Sequence, residues 1–299
     1  MPKGDGTTLV TDKQFYLDTH LKSVLELCFE RWLKKWDNLI IIDGLERAGK
    51  TTLGKTSGYY YAWLMSKHLR EDKVNFSVDN VFFDIDEMIE YANTHRNQVI
   101  IWDEAALGGL SLQWQDKIQQ KLLQMLMIAG KYGHFYIFII PSFFKLNWYL
   151  AVHRSLCLLH VYSPDKLTRG LFTCLNDRQK QWVYNNNKKS GMYTQPTFEG
   201  RFTLKNTQDI LNEEAYEAKK DAAIRKYMNA IEENKDSFKV KKLKWVVANK
   251  LNLEEAQKLL NISKSTYFEW KKIDFSMLSN SVGKSVVLTE KGNEEVMEE

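Results

Sequence analysis

Apolar and polar positions change their rhythm several times along the chain. In the first 36 residues Leu21, Val24, Leu25, Leu27, Cys28, Trp32 and Leu33 recur at helical spacing, with Lys22, Glu26, Glu30 and Lys34 between them. That stripe predicts a helix packed in front of the main domain. From Asn38 to Asp43 the text becomes a short continuous apolar run with β-branched residues, the mark of a strand buried on both faces. Val78 to Phe83, Val99 to Trp102, Phe135 to Ile140, Ser155 to Tyr162 and Gly170 to Leu175 read as further strands. Helical patterns fall between them, from Lys50 to His68, Ile85 to Ala92 and Leu112 to Ala129. Strand and helix in alternation predict parallel strands with helical crossovers, an α/β three-layer sandwich.

Beyond Asn176 the order is less legible. Asn185 to Gly191 is polar and turn-prone, Asp209 to Lys235 is a charged helical stretch, and Lys239 to Lys272 is a compact segment. The expected organisation is an N-terminal helical segment over 1–37, a main domain over 38–205 and a helical linker over 206–238. A small all-α module over 239–273 and a flexible acidic tail over 274–299 complete it.

Composition narrows the class. A chain of 299 residues with 44% hydrophobic content can bury a full core, which excludes wholesale disorder. Three cysteines, Cys28, Cys157 and Cys174, are too few and too scattered for a disulfide framework or a cysteine-based zinc site. The start lacks the apolar segment of a signal peptide. The longest apolar run, Phe135 to Phe144, contains Pro141 and falls short of the roughly twenty residues a membrane helix needs. The expectation is a soluble cytoplasmic protein with no membrane contact.

The chemistry begins directly after the first apolar run. Gly44-Leu45-Glu46-Arg47-Ala48-Gly49-Lys50-Thr51 fits the phosphate-binding pattern G-x-x-x-x-G-K-[ST], between an expected strand and an expected helix. Glycines let successive backbone N–H groups converge on an anion, and the helix adds its positive end. Lys50 then supplies a point charge to the β- and γ-phosphates of ATP, the Thr51 hydroxyl holds Mg²⁺, and Thr52 completes the loop. Val99-Ile-Ile-Trp-Asp103-Glu104 is a buried strand tipped by two acids, where α/β sheets bind ligands. Asp103 would hold the metal and Glu104 would polarise the attacking water. Ser142, after Pro141, is a candidate γ-phosphate sensor, and His134 should sit at the opposite sheet edge. Arg154 and Arg169 are candidate fingers for a neighbouring subunit's γ-phosphate, while Arg47 could cover the nucleotide within its own chain.

Charge is unevenly spread. Lys239 to Lys272 holds nine lysines against three glutamates, whereas the whole chain is only +4. Positive charge gathered on one module favours phosphate backbones. Leu253 to Leu260 reads as a short helix, Asn261-Ile-Ser263 as a turn with Ser263 as N-cap, and Lys264 to Lys272 as a second helix. The second helix of such a pair enters the major groove, so Lys264, Ser265, Thr266 and Tyr267 would meet bases, and Lys271 and Lys272 phosphates.

The run Ala256-Gln-Lys-Leu-Leu-Asn-Ile-Ser-Lys-Ser-Thr-Tyr-Phe-Glu-Trp270 resembles the helix-turn-helix of resolvase-type and excisionase-type DNA-binding domains. Residues 38 to about 175 resemble the additional-strand P-loop ATPases, within them the FtsK/HerA and zonula-occludens-toxin-like branch. That resemblance implies a mainly parallel sheet, ATP and Mg²⁺ as cofactors, and catalytic positions at Lys50, Thr51, Asp103 and Glu104. It also implies double-stranded DNA as partner, a homo-oligomeric ring, and service to a viral or mobile-element capsid or portal. Two other readings stand beside it: a nucleotide-switched DNA-binding regulator, and a thymidylate-kinase-like enzyme whose P-loop is similar. Asp84-Ile-Asp86 lacks the arginine that kinase would need.

Overall fold

In the computed structural model, which describes residues 7–10, 14–103, 112–203, 210–229, 252–260, 262–264, 267–268, 287–288 and 294–295, the apolar runs join in one sheet. The chain divides into two units, Met1–Tyr227 and Met228–Glu299.

The first unit opens with an antiparallel hairpin of β1 (Thr7–Val10) and β2 (Gln14–Leu17), followed by helix α1 (Thr19–Leu33). The central sheet contains β3 (Asn38–Gly44), β4 (Val81–Phe82), β5 (Val99–Asp103), β6 (Phe135–Ile139), β7 (Cys157–Tyr162), β8 (Leu171–Leu175) and β9 (Phe198–Arg201). Its order is β4-β5-β6-β3-β7-β8-β9. The first five in that order are mutually parallel, whereas β7 to β8 and β8 to β9 are antiparallel. The result is mixed α/β with a mainly parallel seven-stranded sheet between helical layers. One strand, β6, separates the P-loop strand β3 from the acid-tipped strand β5.

Alternation along the strands sends each side of the sheet to its own core. Ile40, Ile42, Ile101, Ile137 and Leu159 face α1 and α2 (Lys50–Leu69). Leu39, Ile41, Ile100, Phe138 and Leu158 face α3 (Ile85–Thr94), α4 (Leu112–Ala129) and α5 (Asp177–Asn187). A glycine inside a helix costs about 1 kcal/mol relative to alanine, yet α2 contains Gly54 and Gly58. A Cβ on Gly54 would stand 2.7 Å from the tip of the Ile139 side chain, so the glycine leaves that side chain its place between α2 and the sheet.

Several expectations need correction. In α1 only Leu21, Leu25, Cys28 and Trp32 of the stripe are buried, while Leu27 and Leu33 are exposed, because they turn about 100° per residue away from that face. Val78–Asn80 is a 3₁₀ turn rather than strand, its Ser77 and Asn80 bonded as a capping box. Of the stretch read as turn-prone, Asn185 to Asn187 belong to helix α5 and 188–191 form the turn, and Phe198–Arg201 is a strand. The three cysteines are buried free thiols. Residues 213–229 form the expected charged helix, α6, of which the part up to Tyr227 falls in the first unit. No helix among the described residues is long and apolar enough to cross a membrane.

His134 lies at the sheet edge opposite the P-loop, fully buried. Its Nδ1 accepts the Gln98 N–H at 3.1 Å, which leaves Nε2 to donate to the Ala92 carbonyl at 2.9 Å. Burial lowers its pKa below the ordinary histidine value. The neutral ring therefore contributes stability that is full above about pH 6.5 and lost as pH falls towards the lower folded value. The thermal midpoint should drop more steeply between pH 7 and 5 in the wild type than in His134→Gln, and equal slopes would contradict this assignment.

In the second unit α7 (Leu253–Leu260) begins with a reciprocal cap, Asn252 N–H to Glu255 and Glu255 N–H to Asn252, each 2.9 Å. The Tyr267 N–H donates to the Ser263 carbonyl at 3.1 Å, so Ser263 opens a second helical turn as expected of an N-cap. Ala256 and Tyr267 are buried together, with Leu253, Leu260 and Ile262 packed around them. Tyr267 is thus only 3% exposed, which corrects its expected place at a base edge, whereas Phe268 is 46% exposed. Lys264 is exposed; Ser265, Thr266, Lys271 and Lys272 lie outside the described residues. Within the expected tail, β10 (Val287–Leu288) and β11 (Glu294–Glu295) pair antiparallel.

Candidate functional site

The end of β3 passes into the P-loop through Gly44, whose φ is +124°. A Cβ there would stand 1.9 Å from the Val161 carbonyl oxygen on β7, so only glycine lets the chain turn this close to its neighbour. The Leu45 N–H donates to that same carbonyl at 3.1 Å and anchors the loop's first turn. Gly49, at φ +108°, sits at the N-cap of α2 with no side-chain cap. The first N–H groups of α2 are left for an anion to satisfy, and the helix dipole points the same way. Arg47 also has positive φ, 60°, and is exposed on the loop with Leu45 and Glu46, while Ala48 is buried beneath them.

Lys50 is 6% exposed. Its ammonium donates to the Gly44 carbonyl at 2.8 Å and the Leu45 carbonyl at 3.0 Å, which holds it against the loop. Burial lowers its pKa, opposed by the negative charges of Asp103, Asp43 and Glu46. A desolvated ammonium of this kind gains strongly from an arriving phosphate.

Next to it, the Thr51 hydroxyl donates to Asp103 Oδ2 at 2.8 Å across 52 residues of sequence. Asp103 ends β5 and is 1% exposed. The two side chains expected to share a cation are therefore in contact. Their hard oxygens suit Mg²⁺, which takes one or two protein ligands together with substrate phosphates. No cluster of three or more His, Cys, Asp and Glu capable of holding a metal occurs among the described residues. A site shared with phosphates needs none. Thr52 follows on the same turn of α2; Glu104 lies outside the described residues.

Ser142 stands just beyond β6, at the N-cap of the turn Phe143–Lys145. Asp43, a fully buried carboxylate one residue before the loop, accepts from Tyr193. Asp43 also accepts the Phe143 N–H at 2.7 Å and faces His160 Nδ1 at 2.9 Å, with the His160 ring stacked on Tyr193 at 3.6 Å. This cluster ties the P-loop strand to the β6 exit and to β7. Sequence reasoning missed it, because Asp43 alone is local to a motif.

The two arginine candidates part company. Arg169 is exposed in the turn between β7 and β8, at the sheet edge that carries the P-loop. Arg154 precedes β7 at the opposite edge, where its guanidinium is held by Asp37 and the Leu126 carbonyl. Arg154 thus stands away from its own chain's loop, while the expectation concerned a neighbouring subunit's γ-phosphate.

A group unforeseen from sequence completes the surroundings. Tyr216 on α6 is 2% exposed and donates to Asp103 Oδ2 at 3.1 Å. The ammonium of Lys55, one turn beyond Thr51, lies 3.5 Å from the centre of the Tyr216 ring and 3.0 Å from Glu213.

No family model matches the chain, and no curated protein matches it. Among solved structures it is similar to the genome packaging NTPase B204 from Sulfolobus turreted icosahedral virus 2, in complex with AMP. That likeness has 12% identity and TM-score 0.31, covering 48% of this chain and 94% of the other. The N-terminal domain of zonular occludens toxin from Neisseria meningitidis is also similar, at 14% identity and TM-score 0.33, covering 58% of this chain and 98% of the other.

Proposed function

We propose that the protein is a Mg²⁺-dependent P-loop ATPase that works on double-stranded DNA, as a translocation or packaging motor assembled into a homo-oligomeric ring. The observation that carries the reading is the 2.8 Å contact of Thr51 with Asp103, beside a buried Lys50 in a glycine-turned loop. A single strand between β3 and β5 brings the two motifs to that separation and agrees with the additional-strand group that the sequence resembles.

Mg²⁺, when bound, would supply positive charge that offsets what develops on the phosphates. The chain's own groups do the rest. Backbone N–H groups of the loop and of the first turn of α2 cradle the phosphates, and Lys50 offsets their charge. Asp103 and Thr51 present oxygens to the cation. Glu104, next in sequence, accepts a proton from the attacking water. Ser142 reports on the γ-phosphate, and Arg169 reaches a neighbouring subunit. The lysine-rich segment Lys239 to Lys272 recruits DNA, with Lys264 exposed within it.

The kinase reading is less well supported. Asp84, where that reading needs an acid beside an arginine, instead caps α3 and pairs with Lys226 at 2.9 Å. Phosphate release measured with and without double-stranded DNA, beside phosphate transfer to nucleoside monophosphates, tests the proposal. The expected result is Mg²⁺-dependent release that DNA stimulates, with no transfer. Transfer to a monophosphate would replace the motor with a kinase; release indifferent to DNA would leave a nucleotide switch.

A further inference from the structure

Helix α6 reads in sequence as a solvated connector, yet its one deeply buried aromatic reaches the pair of side chains set to hold the cation. The Tyr216 hydroxyl donates to Asp103 Oδ2 at 3.1 Å. The ring is fixed from several sides. Lys55 lies over one face at 3.5 Å, and Phe83 meets it edge-on at 5.5 Å. The helix is fastened along its length as well. Glu213 pairs with Lys55 at 3.0 Å, Lys219 donates to the Val78 carbonyl at 3.1 Å, and Lys226 reaches Asp84 and Glu87, each at 2.9 Å.

Asp103 Oδ2 accepts from both Thr51 and Tyr216. A threonine hydroxyl that turns a lone pair to a cation keeps its proton for the carboxylate, so both hydroxyls can orient Asp103 while a metal is held. The tyrosine does so from a pinned ring that is not itself a ligand, and groups that hold a metal's ligands set its affinity.

We infer that Tyr216 is a positioning residue for the cation site, holding Asp103 in its metal-facing orientation from a helix outside both sequence motifs. The inference rests on the proposed Mg²⁺–nucleotide function. Phenylalanine in place of Tyr216 keeps the ring, its cation contact and the docking of α6, and removes only the donor.

The test uses the full chain and a fluorescent ATP analogue, with Mg²⁺ titrated into wild type and Tyr216→Phe. Binding is also measured in EDTA, and hydrogen exchange is followed over residues 213–229. The Mg²⁺ concentration for half-maximal binding should rise about tenfold or more in Tyr216→Phe, with metal-free affinity and α6 protection unchanged. An unchanged Mg²⁺ requirement would overturn the inference, and a lower one would mean that the hydroxyl competes with the cation. A raised requirement accompanied by lost α6 protection would also overturn it, in favour of a docking role alone. Wild type that binds the analogue with no response to Mg²⁺ would fell the proposed function itself, and this inference with it.

Discussion

Glu104→Gln is expected to lower phosphate release by about 10²- to 10⁴-fold, the range for loss of a positioned general base, while ATP stays bound. Asp103 is the last residue of β5 and touches Thr51, the pair proposed to hold the cation. Glu104 follows directly in sequence and is the residue proposed as the base. A glutamine can still orient water but cannot take its proton, so the complex should stall before cleavage. Single-turnover release together with nucleotide retention on a filter checks this. Turnover equal to wild type would remove Glu104 from its role and leave the motor reading without its base.

Lys50→Ala should cut turnover about 10²- to 10³-fold, as removal of one preorganised donor to a developing anion does elsewhere. It should also weaken nucleotide binding about 10- to 150-fold, the worth of a charged hydrogen bond of about 1.5–3 kcal/mol. The loss goes beyond one donor. Lys50 sits among the charges of Asp103, Asp43 and Glu46, so its removal leaves a triphosphate facing carboxylates with less to offset them. Equilibrium titration of both proteins with Mg·ATP measures the loss of binding, and steady-state release the loss of turnover. Binding within twofold of wild type would place the phosphates elsewhere.

What could be read in the sequence was what is local to a short stretch. Strands β3, β5 and β6 are buried on both faces, so their apolar runs are continuous and stand out. Gly44, Gly49, Lys50 and Thr51 form a motif because the geometry of one turn dictates them. Strand direction was less visible. Nothing in the burial of β8 distinguishes an antiparallel neighbour of β7 from a parallel one, and the short turn between them was the signal that could have shown it. Helix α5 escaped because its buried side chains include Lys180 beside Val183 and Tyr184, which hides the apolar face.

The contacts that assemble the site were beyond reach for a different reason. Asp43 meets Phe143, His160 and Tyr193 at separations of 100, 117 and 150 residues, and Asp103 meets Tyr216 at 113. No spacing rule links such partners. The one hint for Tyr216 was an aromatic within an otherwise charged helix. In the C-terminal helix pair, a shift of one residue in register decides whether Tyr267 or Phe268 faces the core, and two adjacent aromatics give the pattern no means to choose.

Calorimetric titration of the intact chain with ATP, in Mg²⁺ and then in EDTA, bears on the loop and strand tip at once. One site per chain, tighter with Mg²⁺ and lost or greatly weakened by Lys50→Ala, is the predicted result. A folded chain that takes up no heat from Mg·ATP at millimolar concentration would contradict the account.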